Sequence, residues 1–294
     1  MPAEASLDRP TPATRIGLAA SLRIQGRLML ILLTVLLGVP LHYVCRALTR
    51  HSPIPRLTLR AIARIVGARV RIVGTPLRRD VFLLANHISW LDIPALAGAS
   101  GTAFVAKAEV AQVPVVGWLA RLNRTVFVQR EARLGVAHQI NALREAMAEN
   151  HALTIFPEGT TTDGQSLLPF KTAMLKVLEP PPPGVMVQPV LLDYGRLAPF
   201  ICWIGDEPGL ANVIKVLARP GSFALTIRFL EPFSPEGHAG RKAIAAEARA
   251  RIEAALVEAL GKPLRTYGVT VDAVRYAPPS APAVEAHDRA EGGD

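Results

Sequence analysis

The chain has 294 residues, a formal net charge of +9 and a sequence pI near 10.1. That length suits one large α/β domain with appendages, and its two distant cysteines, Cys45 and Cys202, exclude a disulfide framework and a C-x-x-C metal site. Aromatic residues are sparse and no nucleic-acid motif is present, so the excess cation points to an anionic membrane surface and away from nucleic acid.

Taken in chain order, residues 1–20 are rich in Pro and Ala and are expected to be disordered. Residues 21–55 are expected to form a membrane-anchoring helical segment. Its apolar run, Leu28–Cys45, has no formal charge apart from protonation of His42 and sits at the lower limit for spanning a ~30 Å hydrocarbon core. Arg23 and Arg27 precede the run, and Arg46, Arg50, Arg56 and Arg60 follow it, as suits anionic headgroups. Pro40 leaves a re-entrant or interfacial anchor as an alternative to a spanning one. A buried core helix is the bland alternative. A cleaved signal peptide is disfavoured, because the run is long and lacks a small-x-small exit.

Residues 56–265 read as the catalytic domain. A basic helix over 56–67 leads into strand-like runs at Arg69–Val73, Val81–Ala85, Ala103–Ala106, Thr125–Gln129, Leu153–Phe156, Val185–Leu192 and Ala224–Phe229. Val136, Ile140, Leu143 and Met147 recur at helical spacing. A short helix is expected over 171–179, broken by Pro180–Pro183 and Gly184. Another is expected over 209–218. Ile244, Ala248, Ile252, Leu256 and Leu260 form a stripe that predicts a C-terminal helix covering the sheet. Residues 266–294 are expected to be a disordered tail. The alternation predicts an α/β fold: a mixed, mostly parallel sheet with flanking helices, preceded by an N-terminal membrane-anchoring helix.

Two turns carry chemistry. In Asn86-His87-Ile88-Ser89-Trp90-Leu91-Asp92 an imidazole leaves a buried strand with a carboxylate five residues on. His is a usable base near neutral pH, and a carboxylate on its other nitrogen would fix tautomer and orientation. Five residues on a straight helix is about 500° of rotation. The pair therefore meets only if His87 precedes a helix and Asp92 lies in its first turn. The S-x-x-D spacing of Ser89 and Asp92 is that of a capping box, and Pro94 is tolerated only near a helix start. The second turn is Phe156-Pro157-Glu158-Gly159-Thr160, after another apolar run.

With these blocks on the page, the chain resembles the lysophosphatidic acid acyltransferase family, the glycerolipid acyltransferases with the NHX4D motif. The first block matches as Asn86-His87…Asp92, the second as Val126-Phe127-Val128-Gln129-Arg130, the third as Phe156-Pro157-Glu158-Gly159-Thr160 and the fourth as Val187-Gln188-Pro189-Val190. The resemblance implies a membrane-bound O-acyltransferase that moves a fatty acyl chain from acyl-CoA or acyl-ACP to the free hydroxyl of a lysolipid. It implies no permanently bound cofactor and no metal. His87 would be the general base and Asp92 its orienting partner. Arg130, Glu158, Gly159 and Thr160 would bind the acceptor, with Lys107 and Lys171 available for its charge. Backbone N–H groups near the block-one helix start are candidate oxyanion donors.

The commonest acceptor of the family is 1-acyl-sn-glycerol-3-phosphate, which would give phosphatidic acid. Many members acting on it place Arg after the third block's Gly-Thr; here that residue is Thr161. The Thr-rich variant is similar to the bacterial branch that acylates lyso-ornithine lipid, the alternative acceptor. The implied location is the bacterial cytoplasmic (inner) membrane, with the catalytic domain facing the cytoplasm. A serine hydrolase would need G-x-S-x-G, which is absent. A non-catalytic lipid-binding relative would be expected to lose His87 or Asp92, and both are present.

Overall fold

Seven strands form one sheet in the computed structural model, which describes residues 17–49, 52–113, 116–128, 145 and 152–266. They are β1 (Ala68–Val73), β2 (Val81–Ala85), β3 (Ala103–Lys107), β4 (Val126–Val128), β5 (Leu153–Ile155), β6 (Met186–Asp193) and β7 (Phe223–Phe229). Their spatial order is β1-β7-β6-β2-β5-β3-β4. The β6–β7 pair is antiparallel and the other neighbours are parallel, so the expected mixed, mostly parallel sheet is present.

Central β2 is apolar throughout because both of its faces are covered. Val81, Leu83 and Ala85 join a core with α2 (Ile54–Val66) and α3 (Asp92–Ser100). Phe82 and Leu84 face the opposite core. There the long helix Gly240–Leu260 buries Ile244 and Ala248; Ile252 and Leu256 of the same predicted stripe pack a neighbouring cluster with Leu191, and Leu260 is half-buried beside it. Pro189, in the fourth sequence block, lies within an unbroken β6 and pairs with Leu84 of β2. Gln188 bridges that region, accepting from Leu77 N and donating to the carbonyls of Thr75 and Leu230.

The remaining helices position the site. α2 crosses α3 so closely that a Cβ on Gly98 would lie 2.7 Å from Arg60 Cα. Arg56 of α2 donates to the carbonyls of Gly98 and Ala99, the last turn of α3. The helix that begins at Asp92 is thus held at its other end by α2.

The N-terminal helix α1 (Leu18–Leu48) starts earlier and runs longer than its apolar core suggests, because Ala19 and Ala20 favour helix. Residues 18–20 are therefore helical, not disordered. Its best 18-residue window has a mean hydropathy of 2.3, and none of its residues is buried. Exposed Leu28, Met29, Leu32, Leu36 and Leu37 make a surface suited to lipid, and the helix is long enough to cross a membrane.

Arg27 does not simply flank this helix for headgroups. Its guanidinium donates to the carbonyls of Leu217, Arg219 and Gly221, around the C-terminal end of the helix Gly209–Ala218. Arg23 donates to Ala218 O. Unsatisfied carbonyls and the negative end of the helix dipole favour these cations there. Arg27→Ala is expected to cost about 2 kcal/mol, or roughly 4–8 °C in melting midpoint for a domain of this size. An unchanged midpoint by differential scanning fluorimetry would refute this anchoring.

One further expectation differs. The segment expected as a helix over 171–179 is a 3-10 run at Ala173–Leu178, a short turn stopped by the following prolines. The helical spacing of Val136, Ile140, Leu143 and Met147 lies outside the described residues, as does the tail beyond residue 266.

Candidate active site

The site lies at the carboxyl ends of the parallel neighbours β2, β5 and β6, where open α/β sheets place their ligands. Asn86 extends β2 past its last paired residue: its side-chain amide donates to Leu192 O and accepts from Leu192 N. This fixes the strand end from which His87 departs.

His87 precedes α3 and Asp92 is that helix's first residue, as the spacing requires. His87 Nδ1 lies 2.8 Å from Asp92 Oδ2. The same Oδ2 accepts from the backbone N–H groups of Ile88 (2.7 Å) and Ser89 (2.9 Å). The S-x-x-D spacing does not form the expected capping box, because the N-cap residue is Leu91; Asp92 still accepts from Ser89 N, and Ser89 Oγ accepts from Leu91 N. Asp92 Oδ1 accepts a 2.6 Å bond from the hydroxyl of Tyr194. With Nδ1 donating to Asp92, Nε2 carries the imidazole's lone pair, and the ring is 19% exposed. Phe156 stacks on that ring at 4.1 Å, and Thr162 donates to His87 O through N–H and hydroxyl. The result is a braced, partly open imidazole able to accept a proton.

The expectation for oxyanion donors changes accordingly. The N–H groups of Ile88 and Ser89 are spent on Asp92, and Asp92 N donates to Ser89 O. Orienting the carboxylate thus takes up two of the N–H groups near this helix start.

Glu158 also changes role. It is fully buried, and its two oxygens accept from His87 N and Leu168 N, each at 2.9 Å. A carboxyl enclosed in this way braces the His87 loop from below and does not reach an acceptor headgroup. Burial pushes its pKa up to about 8, with Asp92's charge adding to the rise, against the lowering effects of the two backbone bonds and Arg249. Gly159 takes φ 75°, which a side chain would strain, so the turn above Glu158 suits glycine. Thr160 is half-buried beside it.

Lys171 has an exposed side chain, and its N–H donates to Pro157 O, which keeps it beside this turn. Lys107 ends β3 on the same edge of the sheet. Arg130 lies outside the described residues. Thr161 is buried, and its hydroxyl donates to Trp203 O. Trp203 N in turn donates to Ile88 O. The loop after Ile201 is therefore stitched to both sequence blocks. Cys202 in that loop is an inert thiol, pushed up to about 11 mainly by burial.

Sequence reasoning missed Tyr194, the stacking of Phe156 and the strand-end role of Asn86. Phe156 and Asn86 lie inside recognised blocks, where position was a signal. Tyr194 follows an apolar strand with no motif of its own.

A family model described as Acyltransferase matches residues 69–193. A lyso-ornithine lipid O-acyltransferase of Brucella abortus is 35% identical over 222 residues, covering 70% of this chain and 83% of that one. A 1-acyl-sn-glycerol-3-phosphate acyltransferase of Neisseria gonorrhoeae is 36% identical over 96 residues, covering 33% of this chain and 38% of that one. Among solved structures, the 1-acyl-sn-glycerophosphate (LPA) acyltransferase PlsC of Thermotoga maritima is similar in fold. Its TM-score is 0.54 at 20% identity, covering 80% of this chain and 97% of that one.

Proposed function

We propose, for a chain that belongs to the acyltransferase family of lysolipid-modifying enzymes, that the His87–Asp92 pair activates the free hydroxyl of a lyso-ornithine lipid for attack on an acyl thioester. His87 Nε2 takes the hydroxyl proton as the oxygen attacks the thioester carbonyl. The C–O bond forms, the C–S bond breaks, and the imidazolium returns its proton to the leaving thiolate of coenzyme A or acyl carrier protein. No acyl-enzyme is required. Asp92 holds the ring and stabilises the imidazolium. Lys107, Lys171 and Arg130 are the cations we assign to the acceptor's carboxylate or to the donor. We assign the anchored enzyme to the bacterial inner membrane with its catalytic domain in the cytoplasm.

One observation carries the acceptor class. Where the resemblance leads one to expect a phosphate-contacting arginine, Thr161 is buried and bonded to Trp203 O, so position 161 supplies no cation. A lyso-ornithine headgroup offers a carboxylate and an ammonium and needs one fewer cation than a phosphomonoester. The long match to a lyso-ornithine acyltransferase favours the same reading. Sequence alone put 1-acyl-sn-glycerol-3-phosphate first. The Neisseria relative keeps it as the second reading, on a match confined to a third of the chain.

The test is direct. The full chain in detergent receives a labelled acyl thioester with either lyso-ornithine lipid or lysophosphatidic acid. We expect kcat/KM at least tenfold higher for lyso-ornithine lipid. A preference for lysophosphatidic acid would reverse the acceptor assignment, and transfer to neither would end the proposal.

A further inference from the structure

We propose that Tyr194 is a positioning residue of this reaction, its hydroxyl locking the Asp92 carboxylate that in turn locks the His87 ring. The inference rests on the acyltransfer reading of the same site. Tyr194 immediately follows β6, so the sheet itself delivers its ring to the end of β2. The side chain is 3% exposed, so it does not meet substrate. Its ring packs beside Phe223, at 6.2 Å between centroids.

The argument is one of hydrogen-bond direction. Asp92 is fully buried and its Oδ2 serves three donors: His87 Nδ1, Ile88 N and Ser89 N. Those three donors lie on consecutive residues of a single loop. They hold one oxygen but leave the carboxylate plane free to tilt about it. The 2.6 Å bond from Tyr194 to Oδ1 comes from the other side, from a different strand, and removes that freedom. A buried Oδ1 without this donor would be an unsatisfied acceptor. Burial and the neighbouring Asp92 push the phenol well above its ordinary pKa, so Tyr194 remains a donor and does not compete as a base.

Tyr194→Phe keeps the ring and removes only the hydroxyl. With whichever acceptor the wild type uses, we expect kcat to fall about 10–100-fold, the scale of a misplaced catalytic group. KM for donor and acceptor should change less than about twofold, because neither substrate touches Tyr194. In an Asp92→Asn background the same change should add less than about twofold, since Tyr194 acts through Asp92. A merely structural residue would instead lower the melting midpoint and the active fraction, with undiminished turnover per folded molecule. Unchanged kcat, or a full additional loss in the Asp92→Asn background, would overturn the proposal.

A second readout needs no turnover, so a failure of the acyltransfer reading is separable from a failure of this one. With 15N-histidine in the detergent-solubilised chain, wild-type His87 should show the Nδ1–H tautomer, and Tyr194→Phe should shift its ring nitrogens. In the wild type itself, a slowly exchanging Tyr194 hydroxyl proton is expected. Identical His87 spectra in the two proteins, or a freely exchanging hydroxyl, would remove the lock even if acyl transfer is confirmed.

Discussion

Replacing His87 by alanine is expected to lower acyl transfer by ~10²–10⁴-fold, the usual contribution of a general base, while leaving the protein folded. The fold should survive because the lost side chain leaves nothing buried without a partner. Asp92 Oδ2 keeps the N–H groups of Ile88 and Ser89, and Oδ1 keeps Tyr194. The backbone of residue 87 keeps its bonds to Glu158 and Thr162. What disappears is the one partly exposed, lone-pair nitrogen of the cluster, stacked on Phe156. Asp92→Asn is a less clean test, because an amide would turn donors against donors already in place. Initial rates with labelled thioester, beside melting curves, decide the matter. Near-normal turnover by a folded His87→Ala protein would remove the mechanism.

Local sequence pattern made much of this arrangement legible. Val81–Ala85 and Leu153–Phe156 read as buried strands because they are short, apolar and followed by turn residues, and the fold has strands at Val81–Ala85 and Leu153–Ile155. The five-residue step from His87 to Asp92 works only across a helix start, so its geometry followed from rotation per residue alone. Strand order was not legible. It depends on long crossovers, and the antiparallel β6–β7 pair leaves no mark on either strand's composition. The helix Val116–Leu122 escaped notice because it is only seven residues long.

The misread side chains share one cause, which is that direction and burial are tertiary properties. Glu158 stands in a turn, where a carboxylate looks available to substrate. Only packing shows that both oxygens point inward, to His87 N and Leu168 N. Arg27 borders an apolar helix, where a cation looks addressed to lipid. The folded chain instead brings it to carbonyls about 190 residues away in sequence. Tyr194 reaches Asp92 across 102 positions, a separation at which a single sequence holds no pairing signal.

The inward turn of Glu158 has its largest consequence for stability against pH. Its folded-state pKa of about 8 stands above the 4.5 of an unperturbed carboxyl, chiefly because the site is buried. Below about 4.5 the folded and unfolded chains both hold this proton, and the group contributes its full stability. Between 4.5 and about 8 the folded chain holds it and the unfolded chain does not, so raising the pH favours unfolding. The slope is about 1.4 kcal/mol per pH unit. For a domain of this size that is roughly 3–6 °C of melting midpoint per unit. Above about 8 both states have released the proton and the loss is complete.

Glu158→Gln isolates this contribution. Glutamine keeps the shape of the neutral acid but sets an NH₂ against one of the two backbone donors, at a cost of about 1–3 kcal/mol. The variant should therefore melt below wild type at pH 5. The gap should close, or change sign, as pH rises to 9, because only the wild type has a proton to lose there. All other titrating groups are common to both proteins, so the pH dependence of the difference belongs to residue 158. Parallel melting profiles across pH 5–9 would show that Glu158 is ionised in the fold throughout, held by its two backbone donors and Arg249 in spite of its burial.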